Sequence, residues 1–227
     1  MTKVITIAVD AMGGDGSPKK IIDGIIKHSK NSSNVKYLIF GNKNQINTHI
    51  SNSLKQDIYE IIHTENSVKG TDTPLEAAKR GKDTSMWLSI ESVKAKKADI
   101  VISAGNTGAL MALSKIILKT ISGIDRPAIC TALPTKKGHM HMLDLGANIE
   151  STSDHLYQFA IMGSALVQSL EESLNPRIGL LNIGSEEFKG NETIKNAGTM
   201  MQSSSLNYGG YVEGDDIFEG NYDVIVT

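Results

Sequence analysis

The chain has one cysteine, Cys130, so no disulfide can close within it, and a reducing compartment is its natural setting. An excess of either charge is missing too: 23 basic residues against 25 acidic ones leave a formal net charge of −2. That balance gives no broad attraction to nucleic acid or to an acidic membrane surface. No apolar run approaches the ~18 residues that a bilayer span requires. The opening residues, Met1 to Thr6, lead straight into a strand and lack the apolar core of a signal peptide. Internal repeats and low-complexity segments are lacking as well. These absences together make a cytoplasmic protein the expectation.

What is present suits a folded globular chain. Apolar residues make up 40% and charged residues 21% of 227 residues, enough for a substantial core in a single domain over 1–227. Strand and helix signals alternate, which makes the fold class α/β with a mostly parallel sheet. Strands are expected at 4–9, 35–40, 58–62, 100–102 and 178–181. Ser17 is expected to cap a helix with Pro18 at its first position and a stripe of Ile21, Ile22, Ile25 and Ile26. Asn42 caps a second helix, with Ile46, Ile50 and Leu54 on one face.

Thr73-Pro74-Leu75-Glu76 starts a third helix, and 85–97 continues helically with Met86, Ile90 and Val93 inward. Asn106 or Thr107 caps a helix whose core face is Ala109, Ala112, Leu113, Ile116 and Ile117. A β-hairpin is expected from 127–133 and 139–145, then helices over 153–174 and 192–204, with a short strand near Tyr211. Residues 222–227 read as a core strand, and such a strand is normally followed by a covering helix. The chain is therefore expected to be the N-terminal part of a longer domain.

Four apolar strands each break into a glycine-containing polar loop. The loops hold Asp10, Gly13, Gly14 and Asp15; Gly105, Asn106, Thr107 and Gly108; Asp144, Gly146 and Asn148; and Gly184, with Lys189 and Asn191 just beyond. In α/β folds ligands bind outside the carboxyl ends of the strands, where such loops gather. Glycine lets backbone N–H groups approach an anion, and a following helix adds its positive end. The pattern points to a site for phosphate or a developing oxyanion. Gly14-Asp15-Gly16-Ser17-Pro18-Lys19 has lysine where a dinucleotide fingerprint needs its third glycine, and no P-loop occurs.

Several strings make the match specific. Asp10 to Asp15, Ser103 to Met111, Gly123 to Pro127, Leu143 to Asn148, Gln158 to Gly163, Gly179 to Gly184 with Lys189 to Asn191, and Val212 to Phe218 resemble the phosphate acyltransferases of bacterial phospholipid synthesis. The resemblance implies a three-layer α/β/α fold related to phosphate acetyltransferases and isopropylmalate dehydrogenases. It also implies transfer of a fatty acyl group from acyl carrier protein to inorganic phosphate, without a cofactor. The acyl phosphate then passes to a membrane glycerol-3-phosphate acyltransferase. A cytoplasmic homodimer, peripheral on the inner face of the plasma membrane, is the implied setting. Two departures stand out. The family continues past Thr227 with a further glycine loop and helices, and Trp87 stands where the family usually has Arg.

Residue types suit that chemistry. Phosphate is already ionised at neutral pH and a thiolate leaves readily, so donors for the anion and the oxyanion matter more than a strong base. Asn106, Thr107 and Gly108 are the expected donors, with Asn106 and Lys189 carrying catalysis. Asn148 and Asn191 are either further donors or turn residues.

Asp10, Asp15 and Asp144 are expected to hold their loops by Asx-type bonds, the alternative being a metal bridging carboxylate and phosphate. His139 and His141 share a strand face and, with no third ligand in reach, read as an exposed hairpin surface. Cys130 reads as a small core residue, and Met111, Met162, Met200 and Met201 as core filling rather than an acyl tunnel. Lys94, Lys96, Lys97, Lys136 and Lys137 read as solvated surface. Two rival readings remain open: a non-catalytic phosphate-binding fragment, and an NAD-dependent dehydrogenase of the same fold.

Overall fold

The structure, a computed structural model, describes residues 3–50, 53–171, 175–184 and 190–227. The chain divides into two compact units, Met1–Lys119 and Thr120–Thr227.

The first unit is built on four parallel strands. They are β1 (Ile5–Asp10), β2 (Val35–Gly41), β3 (Tyr59–His63) and β4 (Ile100–Ser103), in the order β3-β2-β1-β4. Alternation along β1 sends its side chains to opposite faces. Ile7 and Val9 pack, with Ile39 of β2, under α1 (Lys19–Ser29) and α2 (Lys43–Ile50). Ala8 and Phe40 face the other way, toward Leu88 and Val93 of α4 (Ser85–Lys94). This unit is therefore a three-layer arrangement, helices on both faces of the sheet. Met86, Trp87 and Ile90 of α4 pack with Ala77 of α3 (Pro74–Lys79) and with Ala109, Leu113 and Ile117 of α5 (Thr107–Leu118).

Local chemistry explains most of the starts. Thr73 and Glu76 form a reciprocal capping box at α3 with Pro74 at the first position, and Asn42 Oδ1 accepts the Gln45 N–H at 3.0 Å. Three expectations fail. Ser17 does not cap α1: its hydroxyl donates to the Gly13 carbonyl, binding the glycine loop, and Pro18 takes the cap position without a side-chain bond. Ile116 is 45% exposed, and only Ala109, Leu113 and Ile117 of the predicted α5 face are buried. The helix begun at Ser85 stops at Lys94 instead of Lys97, because Lys96 adopts a positive φ of 57°.

The second unit carries five strands in the order β5-β6-β9-β7-β8. β5 (Cys130–Thr135) and β6 (Gly138–Leu143) form the antiparallel hairpin, while β6, β9 (Val224–Val226), β7 (Ile178–Leu181) and β8 (Tyr208–Val212) run parallel. One face packs Leu143, Ile178, Leu180, Val224 and Val226 against α6 (Ser153–Leu170) and α7 (Glu192–Gln202), with Phe159 and Met201 fully buried. Cys130 and Met162 pack at the edge of this cluster, and burial pushes the Cys130 thiol pKa up. Met140, Met142, Val212 and Ile225 form a smaller cluster on the opposite face. The helix predicted to run to residue 174 closes at Leu170, and residues 172–174 lie outside the described residues.

Truncating a fully buried ring and an exposed aliphatic chain separates core from surface. Phe159→Ala is expected to cost about 3–5 kcal/mol, and Ile116→Ala to stay within about 0.5 kcal/mol, as read by urea denaturation of the two variants.

Candidate functional site

The loop after β1 and the loop after β4 leave neighbouring strands in register, Asp10 opposite Ser103. Asp10 is 1% exposed. Its Oδ1 accepts the Ser85 hydroxyl at 2.6 Å and the Met12 N–H at 3.2 Å, and its Oδ2 accepts the Ser103 hydroxyl at 2.7 Å. Ser103 Oγ in turn accepts the Gly105 N–H at 3.1 Å. The two loops touch through glycine. A Cβ on Gly13 would lie 2.9 Å from the Gly105 Cα, and one on Gly14, at φ +89°, would overlap the Ala104 carbonyl oxygen. Glycine is needed at both positions, once for approach and once for conformation.

Above these loops opens a cleft of about 720 Å³, lined by Gly14, Asp15, Lys69, Gly105, Thr107 and Gly108 among others. Asn106 is the N-cap of α5: its Oδ1 accepts the Ala109 N–H at 2.9 Å. Its Nδ2 donates to the carbonyls of Asp72 at 2.7 Å and Gly70 at 3.0 Å. The whole amide is thus spent on protein, tying the helix start to the 69–72 loop. The N–H groups of Thr107 and Gly108 are first-turn donors with no carbonyl one turn back to meet them. They, with the exposed Lys69, are the donors the cleft offers an anion. Lys69 was not legible as a site residue, because an isolated loop lysine carries no sequence signal.

Asp72 anchors this second loop. It is buried, accepts the Lys69 N–H at 2.7 Å and forms a two-pronged ion pair with Arg80, one prong being Arg80 Nη2 to Oδ1 at 2.5 Å. The hydrogen-bonded guanidinium, helped by that N–H, holds the Asp72 pKa down to about 2 against the opposing effect of burial. Trp87, where the family resemblance expects Arg, is buried in the helical cluster.

In the second unit Asp144 plays the part that Asp10 plays in the first. Oδ1 accepts the N–H groups of Ile129 at 2.7 Å and Ala147 at 3.3 Å, and Oδ2 accepts Asn148 N–H at 2.7 Å and Asn148 Nδ2 at 2.9 Å. Asn148 Nδ2 also reaches the Pro127 carbonyl at 3.0 Å. Gly146 turns this loop at φ +83°. Both carboxylates therefore hold their loops as Asx-type acceptors, while Asp15 is exposed at the cleft wall.

Gly184 is buried beyond β7, its carbonyl taking Asn182 Nδ2 at 3.0 Å, and Asn191 caps α7 by accepting the Ile194 N–H at 2.9 Å. Lys189 lies outside the described residues. Among the predicted site residues, the structure gathers Gly13, Gly14, Asp15, Gly105, Asn106, Thr107 and Gly108 at one cleft. Asp144, Gly146 and Asn148 share a loop of the second unit, and Gly184 and Asn191 flank in sequence the segment holding Lys189.

The hairpin histidines differ from expectation. His141 is buried, and Glu171, just past α6, comes within 2.9 Å of His139 Nε2 and 3.2 Å of His141 Nδ1. The third group was missed because it is 30 or more residues away along the chain.

Fold and loops together define an α/β protein with mostly parallel strands and glycine-containing loops at their carboxyl ends. Solved structures with this architecture include a EutD phosphotransacetylase from Staphylococcus aureus (TM-score 0.68, 14% identity, 97% of this chain and 76% of that one). A branched-chain phosphotransacylase from Enterococcus faecalis gives a TM-score of 0.62 at 14% identity, covering 98% and 78%. A 4-hydroxythreonine-4-phosphate dehydrogenase from Burkholderia phymatum gives 0.58 at 15%, covering 99% and 80%. At such identity the likeness is one of fold.

The chain belongs to the phosphate acyltransferase family. The family model described as "Fatty acid synthesis protein" matches residues 5–227. The phosphate acyltransferase of Pelagibacter ubique is 55% identical over 230 residues, covering 100% of this chain and 69% of that protein. The one from Nitrosococcus oceani is 48% identical over 224 residues, covering 98% and 66%. The chain thus spans about two thirds of the length of these relatives.

Two measurements test the loop architecture. Gly14→Ala is expected to cost roughly 1–3 kcal/mol of stability for its forced left-handed conformation alone. The Asp72–Arg80 pair, with its lowered carboxyl pKa, contributes stability above the ordinary carboxylate range that is lost as pH falls through about 2. The difference in urea midpoint between wild type and Arg80→Ala should therefore be full at pH 7 and shrink between about pH 4 and pH 2. An undiminished gap at pH 2 would place the stabilisation elsewhere.

Proposed function

We propose that the cleft at the start of α5 binds inorganic phosphate and presents it to the thioester of a fatty acyl carrier protein. One observation supports this most directly. Two first-turn main-chain donors, on Thr107 and Gly108, without a partner among the described residues, lie beside Lys69 in a cleft, in a chain of the phosphate acyltransferase family. A phosphate oxygen attacks the thioester carbonyl carbon, and a tetrahedral oxyanion forms. The carbon–sulfur bond then breaks, giving acyl phosphate and the carrier thiol, which takes the proton that phosphate gives up.

The chain's part in each step is to place charge. The helix start and Lys69 offset the phosphate charge, and fixed N–H groups donate to the developing oxyanion without reorganisation. Asn106 acts here as a positioning residue, because both ends of its amide are already bonded. Lys189, adjacent to Gly190 and the Asn191 cap, belongs to the proposal as a second cation. Delivery of acyl phosphate to a membrane glycerol-3-phosphate acyltransferase, homodimer formation and a peripheral membrane location complete it. Among the described residues no helix is long and apolar enough to cross a membrane.

The test mixes purified chain, acyl carrier protein thioester and phosphate, with hydroxylamine to trap acyl phosphate. Phosphate-dependent hydroxamate is expected, with Lys69→Ala raising the KM for phosphate about tenfold, as loss of one charged hydrogen bond should. Phosphate binding without hydroxamate would favour the non-catalytic reading. NAD reduction by a hydroxy acid would favour the dehydrogenase.

A further inference from the structure

We propose that His139, His141 and Glu171 form a binding site for a divalent zinc-class metal ion, at the end of β6 remote from the Asp144 loop. The ligand atoms of the three side chains all lie within 4.8 Å of one another. His139 and His141, two apart on β6, share the face that also carries Leu143, which packs against α6. Helix α6 runs back along that face, so its C-cap residue, Glu171, arrives over the start of the strand.

Geometry favours a metal over a simple ion pair. Glu171 Oε1 is 2.9 Å from His139 Nε2 and 3.2 Å from His141 Nδ1. Zinc bonded tetrahedrally to nitrogen and oxygen at about 2.0–2.1 Å sets its ligand atoms about 3.3 Å apart, so both contacts need only small adjustment. The second sign is His141 itself. It is 7% exposed, and its Nδ1 has no hydrogen-bond partner among the described residues, with the Glu171 oxygen 3.2 Å away. A buried imidazole nitrogen left without a donor or acceptor is costly unless something else meets it. Two imidazoles and a carboxylate are a borderline-soft set that suits zinc, with water in the fourth position.

The three protein ligands come from β6 and from the C-cap residue of α6. A bound ion would fasten the β5–β6 hairpin to the end of α6. Five residues of extended strand, roughly 16 Å, separate His139 from Asp144 at the strand's carboxyl end.

Untagged chain, stripped with chelator, is titrated with zinc by calorimetry and by competition with a chromophoric chelator. One saturable equivalent is expected, with affinity reduced roughly tenfold or more in His139→Ala and in Glu171→Ala. At one zinc concentration the thermal midpoint of wild type should rise by more than that of either variant. Cobalt should bind with the visible absorption of a four-coordinate site, and X-ray absorption of the zinc form should show imidazole scattering. Absence of saturable uptake, uptake undiminished by both substitutions, or a bound metal without imidazole signal would each overturn the site. The last readout uses wild type alone and stands even if the variants misfold.

Discussion

A carboxylate that ends a strand and faces inward is what the first unit's cleft depends on. Asp10 leaves the sheet buried, and burial of a charge is tolerable only when its lone pairs are filled. Ser85, Ser103 and the Met12 N–H fill them, so one side chain ties the β1 loop to α4 and to the β4 loop. With those three segments fixed, Gly13 and Gly105 can come into backbone contact. The start of α5 then opens on the cleft with its first N–H groups unspent.

Asp144 repeats the device in the second unit, with four donors from its own loop and from Ile129. The repetition resolves an electrostatic puzzle. Acidic residues in phosphate-binding loops would repel the ligand if they faced it. The charges of Asp10 and Asp144 are directed inward onto protein donors, so Asp15 is the one loop carboxylate described at the cleft wall, beside the helix N–H groups and Lys69. Acyl transfer to phosphate needs little acid–base machinery, so a site of oriented amides is sufficient for the proposed chemistry.

Much of this was legible in the sequence because its signals are local. Thr73-Pro74 with Glu76, and Asn42 and Asn106 before apolar runs, act through bonds spanning three residues, and each caps the helix it precedes. The α/β class and mostly parallel strands followed from alternation, and the family from strings in the glycine loops. What stayed illegible depends on partners far along the chain. Ser17 has the composition of a cap, but the Gly13 carbonyl four residues earlier captures its hydroxyl. The amide of Asn106 is occupied by carbonyls more than 30 residues away. Lys69 gains meaning only from the cleft it borders, and Glu171 only from the antiparallel course of α6 over the hairpin.

The Asn106 amide has a mechanical consequence. One end grips the first turn of α5 and the other grips the 69–72 segment, so the two behave as a tethered pair rather than as separate walls. An anion drawing the helix amides inward would tug Lys69 with them, and a change in that segment's mobility would be felt at the helix.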